Sequence, residues 1–370
     1  MFKPVRFLVM ALLLIVSVGS DVVAQADAKP FRVVIAGLTH GHVAGFLDAA
    51  SKRTDIQIVG IAEPDQPLAH RYSIQFKLNS NLFYTDLDQM LSAVKPQAVL
   101  AYTDTREHRR VVESAASHHV PVMMEKPLAV SVDDALAIKH AADAAQIPVL
   151  VNYETTWYSS NAAIYQLVED GVLGPLRKVV VHDGHNGPKE IGVPPEFLLW
   201  LTDPARNGAG ALFDFGCYGA DLMTWLMHGE SPNTVTAVLQ QLKPETYTRV
   251  DDEATIILTY PSTQAILQAS WNWPFGRKDM ELYGEAGQAT TVGRDLIRVR
   301  RKGENEEHEQ PAPPLSSPYN DPIAYLIAVV SGKAEPTGPS SLGTNITVVR
   351  ILDAARESAK TGKTIRLGDH

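Results

Sequence analysis

The chain has 370 residues, 45% of them hydrophobic and 20% charged; this is the profile of a globular protein too long for one core, so two domains are expected. Its formal net charge is -9 and its Lys and Arg form no long block, which excludes nucleic acid and anionic lipid as main partners because both require clustered cations. The single cysteine, Cys217, excludes an intrachain disulfide, and its apolar neighbours mark it as a packing residue rather than a nucleophile.

Residues 1–26 read as a signal peptide. Lys3 and Arg6 precede the apolar run from Phe7 to Gly19, which falls short of the roughly 20 residues of a membrane span. Ala24 and Ala26 follow as small-residue cleavage points. No Arg-Arg pair precedes the run, so Sec-type export to the periplasm or beyond is expected. From residue 31 to residue 152 strands and helices alternate. FRVVIAGL, IQIVGIAEP, QAVLAYT, PVMMEKPLA and IPVLVNYE are strand-like, while HVAGFLDAASKR, EHRRVVESAASHH and VDDALAIKHAADAAQ have helical spacing. Ser131 caps the last of these helices and acids fill its first turn. The alternation implies right-handed βαβ units and hence a doubly wound parallel sheet of Rossmann type, covered on both faces.

Residues 153–370 have a different texture. A helix, NAAIYQLVEDGVLG, leads into the strand RKVVVHDGH, and GALFDFGCYGADLMTWLMHG is an apolar, helix-like run. TVTAVLQQL, EATIILTY, QAILQASWNW, KDMELYGEAGQATTV and LIRVRRKG then alternate as antiparallel strands do. GENEEHEQPAPPLSSP reads as a polar, Pro-rich loop, and two helices and a short strand, TIRL, follow it. This second domain is expected to be α+β on a large, open, mostly antiparallel sheet.

The first strand-to-helix turn is IAGLTHGHVAG. A dinucleotide site places G-x-G-x-x-G there, so that backbone approaches a pyrophosphate at the helix N-terminus. Gly37 fits the first position, Thr39 and His42 take the second and third, and Gly41 is out of phase. Glu63 ends the second strand, where an acid binds the adenosine ribose hydroxyls and repels a 2'-phosphate; this favours NAD, with NADP as the alternative. His40 and His42 are expected to contact the cofactor or cap the turn. Neither they nor His182 and His185 complete a ligand set by themselves, so no metal is expected.

MMEKPLA places Lys126 between an acid and a proline at the end of a parallel strand, where ligands bind in doubly wound sheets. In GALFDFGCYGADLMTW, Asp214, Tyr218 and Asp221 interrupt an apolar run, and buried polar groups are costly unless paired or used. Together the two stretches resemble the glucose-fructose oxidoreductase / inositol dehydrogenase (Gfo/Idh/MocA) family. The resemblance extends over nearly all of the chain after the leader, including TREHRRVVESAASHHVPVMMEKPLA, VEDGVLGPLRKVVV and ASWNWP…ELYGEAG. It implies a Rossmann domain and a C-terminal α/β domain whose open sheet faces the substrate and often a second subunit, hence a homo-oligomer.

The resemblance also implies roles. Lys126 corresponds to the lysine that orients and activates the substrate hydroxyl. The family's D-x-G-x-H pattern reads Asp214-Phe-Gly216-Cys-Tyr218, so Tyr218 stands where His is commoner, as in the glucose-fructose oxidoreductase and dihydrodiol dehydrogenase branches. Thr103, His108 and Glu125 correspond to positions beside the nicotinamide ribose. Asp214 and Tyr218, four apart, share one face of a helical turn. That face is expected to point into the cleft beside Lys126, whose charge would lower the phenol's pKa. Asp221 is expected to be a structural partner within its helix. Asn152, Trp157, Trp271 and Trp273 are either sugar-stacking or core residues.

The expected function is an NAD(P)-dependent oxidoreductase that moves hydride between a nicotinamide and a hydroxyl of a sugar, polyol or glycoside, with a general acid/base at the hydroxyl. Two alternatives stand beside it. One is an exported glycoside hydrolase or lyase that uses tightly bound NAD transiently. The other is a non-catalytic sugar-binding protein on a degenerate fold, which the altered glycine turn supports and the pairing of Lys126 with Asp214 opposes.

Overall fold

A computed structural model describes residues 29–368; the signal-peptide reading of residues 1–26 lies outside the described residues. The first domain contains strands β1 (Phe31–Ala36), β2 (Ile56–Ala62), β3 (Phe83–Tyr84), β4 (Ala98–Ala101), β5 (Val122–Glu125) and β6 (Val149–Asn152). They form one sheet in the order β3-β2-β1-β4-β5-β6, parallel throughout. The crossovers run through α1 (His42–Ala50), α2 (Gln66–Gln75), α3 (Leu87–Val94), α4 (His108–Ser117) and α5 (Val132–Ala145). Successive strand residues face opposite sides. Val33 and Ile35 therefore enter one apolar core while Val34 and Ala36 enter the other. Ser131 caps α5 by accepting the Asp134 N–H, as the sequence predicts.

The second domain runs α6 (Ser159–Glu169), β7 (Leu176–Gly184), α7 (Pro195–Leu201), α8 (Pro204–Asn207), α9 (Ala211–Asp214), α10 (Gly216–Leu226), β8 (Thr234–Gln240), β9 (Glu253–Thr259), β10 (Gln264–Ser270), β11 (Arg277–Gly284), β12 (Gly287–Val292), β13 (Leu296–Arg301), β14 (His308–Pro311), α11 (Pro322–Val330), α12 (Leu342–Thr361) and β15 (Ile365–Arg366). Nine strands form its sheet in the order β14-β13-β12-β11-β7-β10-β9-β8-β15. The sheet is antiparallel except where β10 lies parallel to β7. KDMELYGEAGQATTV is two strands, β11 and β12, rather than one run. The expected Pro-rich loop contains β14, an exposed edge strand paired with β13; its polar sequence is what an edge facing water requires.

Helix α10 is buried along almost its whole length, which accounts for a sequence apolar on every side. It lies between β10, β7 and α12. The chain does not stay in the second domain after β14. The apolar α11 returns to the first sheet, where Ile323, Leu326 and Val329 join the core of Val33, Ile35 and Leu100. Helix α12 packs on α5 and β6 of the first domain and on β8 of the second, so it ties the two together.

Candidate active site

The turn after β1 is held by backbone geometry. Gly37 has φ +79, and a Cβ there would meet Thr103 Cγ2 at 2.6 Å. Glycine is therefore needed for the close approach of β1 to the segment after β4. Glu63 is buried, and its carboxylate accepts the Leu38 N–H at 2.8 Å and the Asp65 N–H at 2.9 Å. It thus braces the turn, and burial pushes its pKa up despite these bonds. Gly37, Thr39, Glu63 and Thr103 line a cavity of about 580 Å³ that also receives Arg106, Arg110 and Arg206. Gly41, His42, Glu125, Asn152 and Trp157 line a second cavity of about 700 Å³ on the other side of the turn. The turn therefore separates two chambers at the C-terminal edge of the sheet, as a dinucleotide stretched across a helix N-terminus requires.

The second domain roofs this turn. Trp200 Nε1 donates to Thr39 O at 3.1 Å. The His40 ring packs 4.8 Å from Phe197 and 5.6 Å from Trp200, both on α7. Arg206 on α8 donates to Asp104 at 2.6 Å. His40 is buried beneath this roof, packed against its aromatic rings, and burial drives its pKa well down. His40 Nδ1 accepts the His42 N–H at 3.2 Å, and His42 Nδ1 lies 3.0 Å from Glu125 Oε2. These three side chains lie close enough to hold an ion, yet His40 Nδ1 is already spent as an acceptor from the backbone.

Glu125 ends β5 in a buried position. Burial alone would raise its pKa, but His42 and the Asn152 amide overcome that and hold it at about 2, a carboxylate. Asn152 Nδ2 donates to Glu125 at 3.1 Å, and Trp157 Nε1 donates to Asn152 at 2.9 Å. These two residues thus wall the larger cavity. Trp271 instead lies in the core beside Asp214.

Lys126, the next residue, points across the domain boundary. Its Nζ donates to Asp214 Oδ1 at 2.6 Å and to Asp214 O at 2.9 Å, with both residues buried. Burial opposes a charged lysine, but Asp214 outweighs it and the pKa is raised; Asp214 is correspondingly lowered below the ordinary carboxylate value against the same burial. Trp271 Nε1 donates to Asp214 Oδ2 at 2.9 Å. Asp214 owes its place to the β8–β9 connection, where the Asp251 carboxylate accepts the N–H groups of Gly210 and Leu212. A Cβ at Gly210 would lie 1.8 Å from Asp251 O, so this contact demands glycine.

Asp214 and Tyr218 are not on one continuous helix. The chain breaks at Phe215 between α9 and α10, yet both side chains still flank Lys126, whose Nζ lies 5.0 Å from the Tyr218 ring centre. The expectation that a lysine depresses the phenol is corrected: burial dominates and pushes Tyr218 well above its ordinary value.

Other expectations resolve differently. His108 is buried, and its Nδ1 donates to the carbonyls of Pro127 and Leu128 at 3.1 and 3.2 Å, so it fixes the turn after Lys126. Asp221 has no hydrogen-bond partner for either carboxylate oxygen, contrary to its expected structural pairing, and burial pushes its pKa well up. Cys217 is buried and donates to Asp214 O. His182 pairs with Asp279, while His185 lies edge-on to Phe215 at 4.8 Å, near Asp214. Three more ionisable groups that the motifs did not mark join this cluster: Lys278 reaches Tyr218 Oη, Glu154 holds Lys278, and buried Asp183 lies opposite Lys278. Asp183 and Lys278 face each other across the β7–β11 ladder, on the same inward face as the buried Val181 and Met280 two residues along. A polar residue in an inward register was the available signal.

Residues 31–153 match the oxidoreductase family NAD-binding Rossmann fold, and residues 161–290 match the GFO/IDH/MocA C-terminal domain. D-apiose dehydrogenase of Rhizobium rhizogenes is 24% identical over 290 residues, covering 72% of this chain and 78% of that protein. The NADP(+)-linked scyllo-inositol 2-dehydrogenase of Bacillus subtilis is 23% identical over 283 residues, 70% and 75% of the respective chains. Among solved structures, the aldose-aldose oxidoreductase of Caulobacter crescentus, complexed with glycerol, superposes with a TM-score of 0.77 at 22% identity, over 92% of this chain and 100% of that one. An inositol dehydrogenase homolog of Azotobacter vinelandii complexed with NAD+ gives 0.79 at 17%, over 92% and 98%. With its two matched domains spanning more than half of its length, the chain belongs to the GFO/IDH/MocA family of oxidoreductases and carries that family's NAD-binding Rossmann domain.

Proposed function

We propose that the protein is a dehydrogenase or reductase that exchanges hydride between NAD and a secondary hydroxyl of an uncharged sugar or polyol. The observation that carries this reading is the buried Lys126–Asp214 pair at 2.6 Å, set beside Tyr218 and the cavity lined by Glu125. The bound nicotinamide supplies or receives the hydride. Lys126, charged and anchored on Asp214, has one N–H left to orient the reacting oxygen. Tyr218, neutral in its buried setting, gives a proton to that oxygen on reduction, and its phenolate takes one on oxidation. Thr39, Thr103 and Glu63 on one side of the turn, and His42 and Glu125 on the other, would hold the dinucleotide. Glu63 and Asp65 place negative charge at the adenosine end, which favours NAD over NADP.

The substrate is uncharged because each ammonium in the cluster already has a carboxylate: Lys126 has Asp214, and Lys278 has Glu154 at 2.6 Å. The names of the relatives, an apiose and an inositol dehydrogenase, support the same class. On the second sheet Val180, Ile257 and Ile266 alternate with the buried residues and are only half-buried; we take their face as the one on which a second copy packs. We further read residues 1–26 as a cleaved leader, so that the mature enzyme works outside the cytoplasm on retained NAD. The experiment is calorimetric titration of residues 27–370 with NAD and NADP, followed by a turnover screen of polyols and aldoses. Preferential NAD binding, or release of stoichiometric NAD on denaturation, with turnover of an uncharged polyol is expected; binding of neither nucleotide by protein that releases none on denaturation refutes the reading.

A further inference from the structure

We propose that Lys278 is a positioning residue of this site: held by Glu154, its ammonium aims the Tyr218 hydroxyl at the substrate oxygen and stabilises the phenolate left when that hydroxyl gives up its proton. The inference rests on the dehydrogenase reading above for the reaction it serves, but not for its test.

The geometry fixes who donates. Lys278 Nζ lies 3.3 Å from Tyr218 Oη and 4.3 Å from the ring centre. An ammonium has donors only, so the phenolic oxygen is the acceptor and the phenol's own hydrogen is not spent on Lys278. That hydrogen is free for the substrate. Lys278 is anchored in turn: Glu154 Oε2 accepts from it at 2.6 Å, while Glu154 Oε1 accepts from Tyr158 at 2.7 Å and from Arg294 at 3.2 Å. Lys126 and Lys278 both lie near the Tyr218 and Phe215 rings, so the aromatic pair sits between two cations supplied by different domains.

The other groups around Tyr218 work against a phenolate. Burial is the largest influence, and the Cys217 thiol, Glu154, Asp214 and Glu125 add to it. Asp183 faces Lys278 across the ladder, but its own burial pushes its pKa well up, and its Oδ1 has no partner. It therefore does not compete with Glu154 for the ammonium. Lys126 is committed to Asp214 and contacts only the ring face of Tyr218. Lys278 is thus the cation placed on the oxygen where charge develops. In carbonyl reduction the Tyr218 O–H bond would break and a new O–H bond form on the substrate oxygen, the bound nicotinamide being the group that would supply the hydride taken by the carbon. The phenolate is then reprotonated from solvent, and oxidation reverses these steps.

The test replaces Tyr218 with tetrafluorotyrosine, whose four ring fluorines pull the phenol's ionisation down against the burial, and follows its fluorine resonance against pH in the full mature chain. Removing the ammonium in Lys278→Met should raise the midpoint by at least about one pH unit, the effect of losing an adjacent opposite charge. Lys278→Arg should restore it, and Lys278→Gln, a neutral donor that also serves if the Met variant does not fold, should raise it too. An unchanged midpoint overturns the proposal. Kinetics with an identified polyol supply the second readout. Lys278→Met should lower kcat at least about tenfold with little change in KM, and should add nothing in a Tyr218→Phe background. The titration needs no substrate, so a wrong substrate class leaves it readable. Conversely, turnover at the wild-type kcat and pH profile in Lys278→Met sinks this proposal and leaves the dehydrogenase reading standing.

Discussion

Lys126 and Asp214 were legible in the sequence because each sits in a short, ordered motif, and the structure brings them to 2.6 Å across 88 residues of chain. Lys278, Glu154 and Asp183 were not legible, since their proximity to Tyr218 depends on the register of β7 against β11 and on where the segment after β6 returns. Asp221 misled in another way. Its spacing suggested a partner, yet both of its oxygens are unpartnered and its carboxyl holds its proton in the folded state. A folded pKa raised above the ordinary 3.8 means that the native state binds more protons, so Asp221 subtracts stability as pH rises above that value. Asp221→Asn should therefore stabilise the protein by about 1–3 kcal/mol in mildly alkaline solution and have no such benefit near pH 4, as read by denaturant unfolding at both pH values. A gain that does not depend on pH would contradict a protonated Asp221.

At the scale of elements, the βαβ series was readable from its apolar runs, but the stretch between Pro64 and Gln97 gave no clear period. Helices α2 and α3 lie there, capped by Asp65 and Asp86. Their caps were in the sequence, but the mixed polarity of QPLAHRYSIQ concealed the helical period. The segment from Pro195 to Asn207 was also silent, because two short helices give too few residues for a periodicity. Yet α7 and α8 cover the cofactor turn through Phe197, Trp200 and Arg206. Phe197→Ala should cost about 3–5 kcal/mol of stability, the usual penalty for emptying a buried aromatic site. It should also weaken NAD binding, since His40 and the turn lose their roof. Calorimetric titration checks this: a variant that binds NAD as tightly as the parent would show that α7 is only packing.

For the whole molecule, two sheets and the returning α11 and α12 make the site a seam: Glu125 and Lys126 come from one domain, and Asp214, Tyr218 and Lys278 from the other. Charge pairing on either side of that seam, Glu125 with His42 in one domain and Glu154 with Lys278 in the other, makes the fold acid-sensitive. Glu125 and Glu154 are both held at about 2 against an ordinary 4.5. Their stabilisation is complete above 4.5 and is lost as pH falls toward 2. Thermal melting should therefore show Tm falling steeply below about pH 4, and a Tm that stays flat through that range would contradict the assignment of these pairs.

A dehydrogenase of this kind moves hydride between a polyol carbon and NAD beside Lys126. The direct measurement is to incubate the mature protein with NAD and a polyol deuterated at its secondary carbons, then weigh the nicotinamide by mass spectrometry. The account predicts deuterium on the nicotinamide, reduced at least about a hundredfold in initial rate by Lys126→Met. Consumption of substrate with no deuterium on the nicotinamide, or an undiminished rate in the variant, would contradict it.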